Sequence, residues 1–255
     1  MLAMYASKAE TQKVLLDMSL ALLHQTHPVV YHACHCGWLD IWEWAASIGA
    51  NHCRIGQDIS DDFNYGSLRE CYYNDVLTMI DCGNPLQQYS GPGHWDDYDM
   101  LIVFLNGGSD QLVGIGASNV DYCTNFSLWA MVASPLLIGA DVRKMENYSL
   151  EILTNKEIIA INQDPLGQQG KLEAEAMSGT LQSYAKNMSD GSLAVVLLNR
   201  GTTTATMAML PPSYKKWRNW RVRDLWVHKE VGVLNETYWV EVMSHEAKVL
   251  RLWPA

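Results

Sequence analysis

The stretch from Asn162 to Gly170, with Pro165 and two glycines, separates two kinds of hydrophobic patterning. Before it, helix-like segments alternate with short, wholly apolar runs. Strands covered on both faces have no polar side to display, so this pattern predicts a parallel sheet with helical crossovers. Ser7 to Gln25 predicts a helix with Thr11, Leu15, Met18 and Leu22 on one face. Pro28 ends it, and Val29 to His32 reads as a strand. Trp42 to Ile48 predicts a helix, Cys53 to Ile55 a strand, Leu68 to Asp81 a helix and Met100 to Phe104 a strand. Asn106, Gly107 and Gly108 then turn the chain. Asn125 to Ala133 predicts a helix, and Leu136 to Ile138 a strand closed by Gly139. From Gly170 to Trp253 the period becomes two, with turns at Ser178-Gly179, Asp190-Gly191 and Pro211-Pro212. Leu193 to Leu198, Thr203 to Met209, Trp220 to Trp226, Tyr238 to Val242 and Lys248 to Leu252 are the clearest strands. The expected division is a β/α domain over residues 1–164 and a C-terminal antiparallel β-sandwich over 165–255.

Composition narrows the function. Hydrophobic residues are 48% of the 255 and charged residues 18%, a balance that buries a core instead of leaving the chain disordered. The formal charge of −10 argues against nucleic acid or an anionic membrane as partner, because both call for basic patches. No apolar run reaches the ~18 residues of a membrane span. Ten Trp and twelve Tyr stand against three Phe, so most aromatic rings carry a polar edge, as sugar sites favour. Six cysteines (34, 36, 53, 71, 82, 123) and N-x-S/T sequons at Asn125, Asn147, Asn187 and Asn235 lean towards an oxidising, secretory compartment. Met1 to Glu10 has no apolar core of a leader, so the start of the protein is expected to be missing.

Three constellations could carry chemistry. Arg54-Ile-Gly-Gln-Asp58-Ile-Ser-Asp61-Asp62 places a guanidinium at a strand end and three carboxylates on the loop beyond, where α/β proteins keep their active groups. Like charges raise and the arginine lowers the pKa values there, so one carboxyl can serve as an acid; a solvated acidic loop is the alternative. Gly91-Pro-Gly-His-Trp-Asp96-Asp97-Tyr-Asp99-Met100 sets carboxylates and an indole on a glycine-rich turn. Sugar hydroxyls bond to such carboxylates and a sugar's C–H face stacks on the indole, although a tight turn of solvated acids gives the same residues. His32, Cys34, His35, Cys36, His52 and Cys53 invite zinc, but the spacing is not that of C-x2-C pairs. No metal or cofactor is expected, and Cys53 is expected to pair with Cys34 or Cys36. Serine-hydrolase, P-loop and dinucleotide fingerprints are missing from the sequence.

Gly91 to Leu101 resembles the G-P-G-x-W-N-D-P-D-M-L signature of family 27 glycoside hydrolases, the α-galactosidases and α-N-acetylgalactosaminidases. Leu150 to Gly170, Ser127 to Gly139 and Arg223 to Trp226 are similar to further segments of that family in the same order. The resemblance runs from about Pro28 to the C-terminus. It implies the C-terminal half of a TIM (β/α)8-type barrel followed by an antiparallel β-sandwich, and retaining hydrolysis of terminal α-galactosides. It implies Asp58 as acid/base, raised in pKa by burial beside a partner carboxylate, and Arg54, Cys34, His35, Cys36, Asp99 and Met100 as substrate-binding residues. His35 stands where the family has Glu or Asn and Cys36 where it has Trp, which leaves galactose and N-acetylgalactosamine both open. Asp96 and Tyr98 replace the signature's Asn and Pro. The K-Y-D-x-C segment that carries the family's nucleophile is not in these 255 residues, so the chain alone is expected to be inactive. A non-catalytic α-galactoside binder is the competing reading. Secretion or a lysosomal or vacuolar location is implied, with a homodimer left open.

Overall fold

A computed structural model describes residues 6–63, 75–107, 116–210 and 219–255. Helix α1 (Lys8–Leu23) starts at Ser7, whose hydroxyl accepts from the Glu10 amide while the Glu10 carboxylate accepts from the Ser7 amide. It buries Thr11 and Ser19 and packs Leu15 and Leu22 on the first core cluster, but Met18 is 52% exposed. The expected apolar face is therefore rotated towards Ser19. Strand β1 (His32–Ala33) follows, then 3-10 turns at Trp38–Glu43 and Ala46–Ile48 where a helix was expected. Leu39 and Asp40, just ahead of the expected helix, adopt positive φ, so no α-helix extends back through them.

Strand β2 (His52–Arg54) comes next, then α2 (Val76–Gly83) and β3 (Trp95–Asp97). The expected helix over Leu68 to Asp81 is described only from Val76; its earlier part lies outside the described residues. The three strands form a parallel sheet in the order β1-β2-β3. The expected strand Met100 to Phe104 contracts to one parallel bridge between Leu101 and Ile138, because Asp99 and Phe104 both turn to positive φ. Helix α3 (Asn119–Met131) begins six residues before the expected start, under a Ser118–Asp121 capping box, and is buried from Asp121 onwards except at half-buried Cys123. Helices α4 (Asn147–Leu153) and α5 (Lys156–Asn162) complete this part. Val30, at 73% exposed, and Ile138, at 46%, leave apolar surface at the two sides of the parallel sheet.

The second part is antiparallel. Strands β4 (Lys171–Ala176), β5 (Leu181–Asn187), β6 (Leu193–Asn199), β7 (Ala205–Met209), β8 (Trp220–Asp224), β9 (Lys229–Leu234), β10 (Tyr238–Val242) and β11 (Ala247–Pro254) follow in order. Six form one sheet, β4-β5-β6-β11-β8-β9, and β7 pairs with β10 as a second layer. The turn expected at Pro211-Pro212 lies outside the described residues. Strand β6 is buried along its whole length. Leu193, Val195 and Leu197 face the β7–β10 layer with Trp220, Val222 and Leu252, while Ala194, Val196 and Leu198 join the core built on α3. A partial parallel sheet with helices thus continues into an antiparallel β-sandwich through shared apolar packing.

Polar contacts close the joint. Arg223 makes a bidentate pair with Glu157 at 2.7 and 2.9 Å, and Arg200 another with Asp81, both bonds 2.8 Å. The Trp226 indole donates to Ser127 Oγ at 3.0 Å, and Thr124 Oγ1 donates to the His245 carbonyl at 2.6 Å. His245 also stacks on Phe63, with ring centroids 4.3 Å apart. Because β6 serves both clusters, truncating it on either face should weaken the whole molecule. Leu197→Ala and Leu198→Ala are each expected to cost about 2–5 kcal/mol. Both should shift one common urea transition; separate transitions for the two parts would contradict this packing.

Candidate active site

Arg54 ends β2, and with the residue itself only 6% exposed its guanidinium must find acceptors. Nη2 reaches Asp58 Oδ1 at 3.1 Å, Asp99 Oδ2 at 2.9 Å and donates to the Gly56 carbonyl at 3.3 Å. One nitrogen thus gathers carboxylates from the loops that follow two neighbouring parallel strands. The Asp58 side chain is held by Arg54 on one oxygen and is 56% exposed. Asp99 is held far more tightly. Its Oδ2 accepts from the Ile59 amide and its Oδ1 from the Met100 amide, both at 2.7 Å. Burial raises its pKa, and Arg54 and the two amides oppose the rise. The buried Trp129 indole donates to the Asp99 carbonyl at 2.7 Å, which secures the positive-φ turn that aims this carboxylate at Arg54.

The end of β1 comes alongside. Gly37 has φ +77° and its amide donates to the Arg54 carbonyl at 3.1 Å; a Cβ there would collide with the Ile55 carbonyl. This close approach brings the Cys34–His35–Cys36 turn to Arg54. The Cys36 thiol, and with it Arg54, holds the exposed Cys34 thiol below its usual pKa, while Cys36 itself is pushed up. His35 is buried, and burial lowers its pKa. Met100 reaches the cluster through its backbone amide; its side chain packs where a Cβ on Gly139 would stand.

The other two aspartates of the Arg54 loop serve the framework. Asp61 is fully buried and accepts from the Gly107 and Ala117 amides at 2.7 and 3.2 Å and from the Tyr122 hydroxyl at 3.0 Å. Asp62 accepts from Ser60 Oγ at 3.2 Å. A hollow of about 870 Å³ between α3, α4 and the β8–β9 turn is lined by none of Arg54, Asp58 or Asp99.

The expected Cys/His group is split by strand parity. His32 and His52 stack with centroids 4.4 Å apart on the Arg54 side, and stand 3.1 and 3.8 Å from Asp97 Oδ2. Burial works against the ionised form of Asp97, but the two histidines and the Asp99 amide outweigh it and hold the carboxyl well below its usual range. Cys53 points to the opposite, helix-covered side with Asp96, its partner in register. The expected disulfide from Cys53 to Cys34 or Cys36 is thus ruled out: all three are free thiols, with Cys53 buried behind the sheet and Cys34 exposed at its end. Cys82 is the disulfide-bonded cysteine among the described residues. Two groups have donor atoms close enough to hold a metal ion, His32/His52/Asp97 and Cys53/His94/Asp96. Sequence reading had the histidines and carboxylates but not these groupings, which depend on the register of the parallel strands.

A family model described as alpha galactosidase A matches residues 3–164, and one for the alpha-galactosidase C-terminal beta sandwich domain matches residues 178–252. The chain is 34% identical over 239 residues to an alpha-galactosidase of Cyamopsis tetragonoloba, covering 93% of this chain and 53% of that protein. It is 36% identical over 232 residues to alpha-galactosidase 3 of Arabidopsis thaliana, covering 89% and 48%. The crystal structure of alpha-galactosidase I from Mortierella vinacea superposes with a TM-score of 0.88 at 26% identity, covering all of this chain and 66% of that one. The chain spans about half the length of the curated relatives it matches.

Asp97 gives a measurable consequence. Its folded pKa lies below the ordinary 3.8, so the stability it adds is present above that value and lost as pH falls through the folded pKa. Asp97→Asn should lower the urea midpoint near neutral pH, and the gap from the unsubstituted protein should narrow progressively below about pH 4. A gap that stays constant with pH would show that the histidines do not favour the charged carboxylate.

Proposed function

The chain belongs to the alpha-galactosidase (melibiase) family of family 27 glycoside hydrolases, and from that premise we propose that it carries the acid/base half of a retaining α-galactosidase site. The observation that supports this most is the single Arg54 nitrogen shared by Asp58 and Asp99 at adjacent strand ends. Asp58, held on one oxygen and open to solvent, is free to donate a proton to a leaving-group oxygen and then take one from the incoming water. Asp99 accepts from two amides as well as Arg54, which suits it to receive a sugar hydroxyl and makes it a poor nucleophile. Retaining hydrolysis needs a second carboxyl ~5–5.5 Å from the first. That role falls to the K-Y-D-x-C segment of the family, which these 255 residues do not contain. The parallel strands correspond in this reading to the last part of an eight-stranded barrel, a view favoured by the apolar surface at both sides of the sheet.

The substrate proposed is a terminal α-galactoside, with Cys34, His35, Cys36 and Met100 around the sugar. The competing reading is a binder of α-galactosides without turnover. In a protein extended to include a K-Y-D-x-C segment, Asp58→Asn should cut kcat/KM for alkyl α-galactosides by at least about 10²-fold, with a smaller loss for activated aryl galactosides. Equal, small losses for both substrates would remove Asp58 from the acid/base role. Saturable galactoside binding with no hydrolysis in the extended protein would favour the binder.

Passage through a secretory compartment, to the outside or to a lysosome or vacuole, is proposed from the sequons. Asn147 and Asn235 are exposed and Asn187 half-exposed, but Asn125 is fully buried in α3, its Oδ1 accepting from the Ile102 amide at 3.1 Å. Glycan on protein from its native source should therefore sit at some of Asn147, Asn187 and Asn235 and never at Asn125. Mass spectrometry of peptides after enzymatic deglycosylation reads this out, and unmodified peptides at all four would remove the support.

A further inference from the structure

Behind the sheet, away from Arg54, three buried side chains converge whose chemistry the proposed reaction does not use. Cys53 lies on β2, Asp96 beside it in register on β3, and His94 on the tight Gly91–His94 turn that leads into β3. Cys53 and Asp96 are fully buried and His94 is 7% exposed. Neither carboxylate oxygen of Asp96 has a hydrogen-bond partner among the described residues. A buried carboxylate without donors is costly and calls for a compensating cation or proton. The family signature has an uncharged Asn at this position, so burial alone does not demand a carboxylate there.

The geometry points to a buried zinc ion held by Cys53 Sγ, His94 Nε2 and an Asp96 carboxylate oxygen. Zn–S bonds of ~2.3 Å and Zn–N bonds of ~2.0–2.1 Å at a tetrahedral angle place sulfur and nitrogen about 3.5 Å apart. Cys53 Sγ and His94 Nε2 are 3.6 Å apart. All three donor atoms lie within 4.8 Å of one another, so a side-chain rotation of Asp96 completes the set. His94 Nδ1 donates to the Ala50 carbonyl at 2.6 Å, which fixes the ring and leaves Nε2 as the lone-pair nitrogen. This is the outer-sphere bond that metal-ligating histidines characteristically make. A thiolate, an imidazole and a carboxylate together suit zinc over the hard cations magnesium and calcium, which take oxygen donors. Three protein ligands leave one tetrahedral position for water. The role would be structural, clamping to strand β2 the turn that leads into β3, the strand bearing Asp97.

The test uses the purified chain, stripped with a chelator and titrated with cobalt(II) and then zinc(II). One equivalent of cobalt should bind with a thiolate-to-cobalt charge-transfer band and tetrahedral d–d bands, zinc should displace it, and zinc should raise the Tm. Cys53→Ser should abolish the charge-transfer band. Asp96→Asn, nearly isosteric and the signature's own residue, should fold normally and weaken zinc binding by at least about tenfold. The double variant Cys34→Ser/Cys36→Ser, which removes the exposed thiols, and Asp97→Asn, which disrupts the His32/His52 group, should keep the band. No thiolate band, a band lost with Cys34 and Cys36 but kept without Cys53, or zinc affinity untouched by Asp96→Asn would each overturn the site.

Discussion

A guanidinium taken out of water must be answered by acceptors, and Arg54 meets that demand with carboxylates from two neighbouring loops. Its place at the end of a buried strand denies it solvent, and the Gly56 carbonyl alone cannot neutralise it. Asp58 and Asp99 supply the charge, one from its own loop and one from the loop after the next strand. The desolvation that makes a lone buried cation intolerable therefore also fixes the separation of the two carboxylates. Their surroundings differ. Asp99 is saturated with donors and immobile, whereas Asp58 keeps a face towards water.

Parity along three parallel strands does the rest of the sorting. Residues alternate between a polar side, with Arg54, His52, His32 and Asp97, and a helix-covered side, with Ala33, Cys53 and Asp96. Adjacent aspartates in one dipeptide consequently meet opposite fates. Asp97 is drawn below its usual pKa by two imidazoles, while burial pushes Asp96, one residue earlier, up to about 7.

How far the sequence could be read follows from the range of the forces involved. The Arg54–Asp58 pair was legible because both ends sit within five residues at a strand-to-loop transition. The clear sandwich strands were legible because burial on one face forces alternation. Strands Lys171–Ala176 and Lys229–Leu234 were not singled out, since they are mostly exposed edge strands and carry no alternating signature. Met100 to Phe104 looked like a strand because its apolar run is real, but two positive-φ residues spend that run on turns packed into the core. The Cys53–His94 contact spans 41 residues and depends on strand register, so spacing along the chain could not announce it.

Phe63 closes the described part of the Arg54 loop and stacks on His245, which belongs to the turn between β10 and β11. His245 is in turn pinned by Asp121 at 2.9 Å and Thr124 at 2.6 Å on α3. The same loop is anchored at Asp61 to Tyr122 of that helix. The sandwich is thus a buttress for the loop that bears Asp58, and not an appendage joined to it by a tether. Removing the sandwich would strip away the wall against which that loop is braced.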